Sequence, residues 1–289
     1  MQEYHHQHLT GERALFKKEN ATIEDCLFAD GESPLKEGRN LIVKGSTFGW
    51  KYPLWYGKGH HVSHCQWLEM ARSGVWYTDD SVFEDCDITA PKNFRKNHNI
   101  TLKNVTFHHG QETLWWCEGV KLEHVKALEA PYFGMKSKDL TIEDLYLEGD
   151  YFFDGGENLK IKNSILHSKD ACWNCKHVYL ENCEIDGEYF GWNSEDVTLV
   201  RCTIRSHQGF CYMKNVKLID CIVLDTDLAF EYCSDIEATI LSEFESIKNP
   251  INGHIRVHGV KEIIRDDPSL DYAKTKIEVL RKDHSYHEI

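Results

Sequence analysis

An eight-residue phrase returns along almost the whole chain: apolar, any, apolar, any, polar, Cys or small apolar, any, apolar. It is plain in Val178–Ile185, Val197–Ile204 and Val216–Val223, and again in Ile100–Phe107 and Leu140–Leu147. With the third position as anchor, copies fall at Ile23, Val43, Val62, Phe83, Leu102, Leu122, Ile142, Ile161, Leu180, Leu199, Leu218, Ala238 and Val257, spaced by 19 to 21 residues. A fixed period of this length marks a repeat architecture and restricts the fold more than composition does. The last two copies are degenerate, as terminal repeats often are.

Inside each phrase the apolar residues alternate, the period of a strand with one buried face. Val, Ile, Thr and Phe are enriched there, as strands prefer. No copy leaves room for the roughly 10 to 12 residues of helical periodicity that a strand-plus-helix repeat needs. The expectation is an all-β fold: a single-stranded parallel β-helix of about thirteen rungs, one turn per 19–20 residues, with rungs about 4.8 Å apart.

The sixth phrase position supports this. It reads Cys26, Ser46, Cys65, Cys86, Val105, Val125, Leu145, Ser164, Cys183, Cys202, Cys221, Leu241 and Val260, a column of small or apolar residues at an inward corner. Six of the eleven cysteines lie in it, so they read as core packing rather than a redox site. The odd count argues against a disulfide framework, and Cys172-x-x-Cys175 has no second pair at zinc-site spacing. Asn104, Asn163 and Asn182 precede the corner, where a residue tolerant of unusual backbone angles suits a sharp bend. A second inward column lies eight residues before the anchors and includes Leu15, Leu35, Leu54, Val75, Phe94, Leu114, Phe153, Phe210 and Phe230.

On these rungs, and on the stretches Asp30–Gly38 and Phe48–Tyr56, the chain resembles the right-handed parallel β-helix proteins of the pectate-lyase-like superfamily. More narrowly, it is similar to a bacterial branch known as a domain of unknown function. The resemblance covers almost the whole chain. It implies right-handed coiling, which the period does not reveal, and no established activity.

The pattern reads as one domain over 1–289. Residues 1–12 form a polar tail or cap, 13–262 the rungs and 263–289 a C-terminal cap whose last strand runs from Lys276 to Arg281. The balance of 33 Lys plus Arg against 47 Asp plus Glu, net −14, disfavours nucleic acid and anionic membranes as partners. Gly59–Leu68, the longest run without a charged residue, is too short to span a bilayer. Met1–Asn20 has no apolar core behind a basic start, so the expected compartment is the cytoplasm.

Because the inward columns are filled, chemistry has to sit on outward columns. Seven residues before the anchor, one line reads Lys36, Trp55, Trp76, Arg95, Trp115, Met135, Asp154, Trp173, Trp192, Cys211 and Glu231. Lines of flat rings suit stacking on sugar rings, whose C–H faces are apolar; the alternative is that the tryptophans pack on one another. Eight residues after the anchor come Asp150, Lys169, Glu188 and His207 in consecutive turns, followed along the chain by Tyr151, Asp170, Tyr189 and Gln208, with His167 and Asp154 nearby. Carboxylates one or two rungs apart match the spacings of retaining and inverting glycoside hydrolysis. A lysine and histidines beside them could hold one ionised while its neighbour stays protonated. The alternative is a solvated ladder of alternating charge at a turn.

The candidate catalytic residues are therefore Asp150, Asp170, Glu188, His167 and Lys169. The candidate substrate-binding residues are Trp115, Tyr151, Asp154, Trp173, Tyr189, Trp192 and His207. Tyr77-Thr-Asp79-Asp80 and His108-His109-Gly110 are similar to fragments of polygalacturonase motifs, but the rest of that pattern is missing. His60, His61 and His64 on a strand and turn diverge, so no metal is expected. Without a phosphate loop or dinucleotide fingerprint, no cofactor is expected either. The leading expectation is an oligo- or polysaccharide-binding or -processing protein, hydrolase rather than lyase. The alternative is a non-catalytic scaffold whose tryptophan line docks another protein or a second copy of the chain.

Overall fold

The computed structural model describes residues 2–280 and 285–289. The chain is an all-β parallel solenoid of about fifteen turns, with one 3₁₀ turn among the described residues, Tyr272–Lys274. It divides into two compact units, residues 1–149 and 150–289. Among the described residues no helix is long and apolar enough to cross a membrane.

In the first unit the anchors stand in one register, Tyr4 opposite Ile23, then Val43, Val62, Phe83, Leu102, Leu122 and Ile142. In the second the line runs Ile161, Leu180, Leu199, Leu218, Ala238, Ile255 and Ile277. Two turns are added to the thirteen expected. At the start, Gln2–His5 pairs with Ala21–Glu24 as a strand of its own, inside a stretch whose polar sequence conceals it. At the end, Thr275–Leu280 pairs with Gly253–Ile264. It is the strand expected from Lys276, with Arg281 outside the described residues. Tyr286–Glu288 then runs antiparallel to it and covers its open edge.

The expected register is corrected near that end. Ile255, not Val257, stands opposite Ala238, and Val257 stands opposite Ile240. The ladder shifts between Leu218 and Cys221 and again between Ile240 and Glu243, as it does at a β-bulge. A constant period cannot register such a shift. Ile240 accordingly takes the buried place opposite Cys221, and Leu241 is exposed.

The other inward columns are buried as the alternation requires, with Val43, Val62, Phe83 and Leu180 at 0% exposure. Within the first unit an aromatic file runs Phe28, Phe48, Trp67 and Phe83, with ring centroids 5.0, 4.7 and 6.2 Å apart. All eleven cysteines are buried thiols outside any disulfide. Burial pushes the Cys65, Cys86 and Cys117 thiols up to about 12, so they stay protonated and unreactive at neutral pH. The corners bend through left-handed residues: Asn104, Asn163 and Asn182 have φ of 52°, 50° and 54°. Such a backbone costs most residues about 1–2 kcal/mol, and Asn offsets this with local hydrogen bonds. Asn182 donates to Asn163 Oδ1 at 3.2 Å, and Arg201 Nε to Asn182 Oδ1 at 3.1 Å.

Candidate functional site

The tryptophan column behaves differently in the two units. In the first, Trp55 and Trp76 stack at 5.2 Å with planes 8° apart. The Arg95 guanidinium lies 4.4 Å from Trp76 and 4.5 Å from Trp115, filling the gap between their rings. Beside this ladder Tyr56 and Tyr77 stack at 4.8 Å, flanked by Lys36 and Lys96. All three indole N–H groups donate to backbone carbonyls: Trp55 to Ser73, Trp76 to Lys92 and Trp115 to Tyr132. Ring faces are thus spent on neighbouring rings and cations, and the polar edges are satisfied. Trp115, a candidate for sugar stacking, is a member of this self-packed ladder.

In the second unit the tryptophans do not lie flat on one another, and Trp192 also packs on Tyr212 at 4.9 Å with planes 48° apart. Trp173 and Trp192 are 5.8 Å apart and tilted by 32°. Tyr189 stands close to edge-on to both, 6.3 Å from each at 69° and 88°. The three rings and Gln208 line a cavity of about 290 Å³. Tyr151 meets Trp173 edge-on at 5.7 Å.

Asp170 lies directly alongside. The short strand Asp170–Ala171 pairs with Tyr189–Phe190, with Asp170 opposite Tyr189. Its carboxyl is 2% exposed and accepts a hydrogen bond from the Tyr151 hydroxyl, and its Oδ2 has no partner. Burial pushes its pKa up, against the opposing pull of Tyr151 and Lys169. On the same turn the Trp173 indole N–H is also buried and unpartnered. Two orphan polar groups, one acceptor and one donor, thus lie buried on the turn that carries Trp173, although buried polar groups are normally paired.

The remaining candidates take definite places. Lys169 Nζ lies 3.5 Å from Glu188, which raises the lysine pKa, and Glu188 in turn accepts from the Tyr189 hydroxyl. Asp150 accepts the Lys169 backbone N–H at 3.0 Å, so its carboxylate ties one turn to the next. Asp154 accepts from the Asn174 amide at 2.9 Å, heading a polar ladder that Asn193 continues. His167 stands opposite Asp186, half-buried. His207 is exposed, while its neighbour Gln208 lines the cavity and donates to Glu231 at 3.1 Å. Glu231, which also pairs with Lys248 at 3.0 Å, had shown only as one member of the tryptophan column. The cavity itself is lined by Trp173, Tyr189, Trp192 and Gln208, and Asp170, Glu188, Lys169 and Tyr151 are linked to that lining only through the contacts above.

Gly187 keeps these turns close. A Cβ there would lie 1.8 Å from the Ser168 carbonyl oxygen, which is backbone and cannot swing aside. Gly187→Ala is expected to force the turns apart beside Glu188 and to cost about 1–3 kcal/mol. Urea unfolding measures it; a variant of unchanged midpoint would mean that the strand shifts freely.

A larger cavity, about 410 Å³, lies in the first unit against Glu69, Arg72, Pro91, His109 and Glu129. His109 is paired with Glu129 at 2.6 Å, and both are substantially exposed. None of its polar side chains is buried and unsatisfied, so the smaller cavity is the more demanding of a ligand. Among the described residues no three His, Cys, Asp or Glu side chains gather to hold a metal ion. The histidine triplet does diverge: His60 points into the core, His61 pairs with Glu84, and His64 lies 3.8 Å from Asp85.

The family described as "Protein of unknown function (DUF3737)" matches residues 2–278. No curated protein matches. Among solved structures the chain is similar to PfbA, a surface adhesin of Streptococcus pneumoniae, with 8% identity, TM-score 0.42, and 94% of this chain and 92% of that one covered. It is also similar to a tailspike protein of E. coli bacteriophage HK620, with 11% identity and TM-score 0.46, covering 90% of this chain and 62% of that one. A third is the periplasmic alginate epimerase AlgG, with 11% identity and TM-score 0.35, covering 95% and 76%.

Proposed function

Because the chain belongs to the DUF3737 family, whose function is unknown, its activity has to be argued from its own geometry, and we propose that it binds a glycan in the aromatic wedge of the second unit. One observation carries this reading. Trp173, Tyr189 and Trp192 line one cavity in tilted and edge-on contacts rather than in a flat stack, and an unpaired acceptor and donor stand beside them. Apolar ring faces next to a few unsatisfied polar groups suit a sugar, whose C–H face is apolar and whose hydroxyls need partners. The first-unit ladder instead stacks flat on itself and on Arg95.

The test compares the two aromatic sets. Trp192→Ala is expected to weaken oligosaccharide binding, measured by calorimetry across a broad sugar panel, by at least about tenfold. Trp76→Ala should leave affinity unchanged and lower only the melting temperature. Equal effects of both variants, or a panel with no binder, would remove the glycan reading.

The environment of the two carboxylates favours a second reading, glycoside hydrolysis. Asp170 is buried with a raised pKa, suited to giving its proton to the departing glycosidic oxygen. Glu188, beside the Lys169 ammonium, would take a proton from the water that attacks the anomeric carbon. Release of reducing ends that Asp170→Asn and Glu188→Gln both abolish would support it. Binding without turnover leaves recognition alone.

A further inference from the structure

We infer that the wedge recognises a sugar bearing a free ammonium group next to a hydroxyl, that is, an amino sugar that is not N-acylated. This rests on the glycan-binding reading and narrows it to a substrate class.

The first ground is the charge left over around the cavity. Glu188 is matched by Lys169 at 3.5 Å. Glu231 is matched by Lys248 at 3.0 Å and by Gln208. Asp150 is spent on a backbone N–H, and Asp154 on an asparagine amide. Among the described residues Asp170 makes no ion pair, although it is the most buried of these carboxyls; the Tyr151 hydroxyl donates to it, and Lys169 acts on it only through its charge. A buried carboxyl left so is costly when ionised and is best matched by a cation brought by the ligand.

The second ground is the ring arrangement. The three centroids form a triangle with sides of 5.8, 6.3 and 6.3 Å. A cation seated over its middle lies within the roughly 6 Å over which ring faces attract positive charge. Three aromatic rings beside a buried carboxyl that makes no ion pair among the described residues are groups that attract an ammonium. A neutral sugar would use the faces but leave the charge unmatched.

The third ground is the orphan indole. An ammonium cannot accept from the Trp173 N–H, whereas the oxygen of an adjacent hydroxyl can. A vicinal amino alcohol presents both complements: N–H donors for Asp170 Oδ2 and an oxygen for Trp173 Nε1. Both protein atoms are buried, so the ligand meets them only when a neighbouring side chain moves aside. The net charge of −14 also raises the local concentration of cationic ligands.

The experiment titrates the intact chain with three probes by calorimetry and tryptophan fluorescence: glucosamine trimer, its N-acetylated form, and tetramethylammonium. Glucosamine trimer is expected to bind at least about tenfold more tightly than the N-acetylated trimer. Asp170→Asn, a near-isosteric change whose fold is checked by circular dichroism, should erase that preference, and Tyr189→Leu should weaken all binding by opening the wedge. Equal or tighter binding of the N-acetylated trimer would overturn the inference while leaving the glycan reading intact. Binding of tetramethylammonium alone would overturn both, since the wedge would then serve an ammonium not carried on a sugar. Silence from all three probes would overturn the inference too, and the wider sugar panel would decide the glycan reading on its own.

Discussion

Between about pH 6.5 and 4 the fold is expected to lose about 3 kcal/mol of stability through His60 alone, at about 1.4 kcal/mol per pH unit separating folded and unfolded pKa values. The imidazole is 2% exposed, and its Nδ1 accepts the Leu41 backbone N–H at 3.3 Å. Its Nε2 is unpartnered and packs so tightly on Gly57 that a Cβ there would come within 2.3 Å. Protonation would bring a charge into this dry site and remove the acceptor that Leu41 uses. Burial, with help from the nearby Arg39 charge, therefore holds the pKa down to about 4.

The sign follows from which state binds the proton. Above about 6.5 neither state is protonated and the full stability is present. Below that the unfolded chain takes up a proton that the folded chain refuses, so stability falls with pH until the folded pKa is passed. Carboxylates elsewhere add their own acid dependence, so the decisive quantity is a difference. His60→Gln, whose amide oxygen can still accept from Leu41, should show a shallower loss than the parent in urea melts at pH 7, 5.5 and 4. Parallel curves for the two proteins would show that His60 is hydrated or already paired.

The architecture was legible because each turn spends its residues alike. Leu180, Leu199 and Leu218 are 19 residues apart, and the structure sets them opposite one another. Where a turn departs from that count the pattern misleads, as at Leu241 and Val257, since a bulge moves every later residue to a new partner. The Gln2–His5 strand was hidden for a different reason: a terminal rung has little core to bury, so its residues can be polar.

The site was legible in position but not in orientation. Equal turn lengths placed Asp150, Lys169 and Glu188 in one column, and hydrogen bonds join these turns. The period fixes where a Cβ lies and leaves the ring angle open. Trp76 and Trp192 occupy the same column offset, yet one lies flat on Trp55 while the other tilts against Trp173. The difference lies in what sits beside them. Arg95 fills the gap from Trp76 to Trp115, whereas Tyr189 stands to one side of Trp173 and Trp192 and meets both edge-on. Likewise the step from His207 to Gln208 turns an exposed side chain into a cavity-lining one, because successive residues alternate in direction.

Trp67→Ala is expected to produce the largest single-site loss, about 3–5 kcal/mol, the range for truncating a fully buried large aromatic. The side chain is 0% exposed and sits in the core file between Phe48 at 4.7 Å and Phe83 at 6.2 Å. Removing it leaves a void that both rings border, and rungs locked by their backbone ladders cannot close over it. Yet the same indole carries a buried, unpartnered N–H, wedged where a Cβ on Gly74 would lie 2.9 Å away. An unsatisfied buried donor costs about 1–3 kcal/mol, so deleting the N–H while keeping an aromatic ring removes a penalty together with some packing. Trp67→Phe should therefore fall within about 1.5 kcal/mol of the parent, the usual limit for well-tolerated hydrophobic swaps. Urea unfolding of both variants at neutral pH separates the two contributions. A phenylalanine variant as unstable as the alanine one would mean that the indole nitrogen holds a hydrogen bond in solution. The gap between the two variants thus measures how much of the cost of losing Trp67 is ring packing and how much is the N–H.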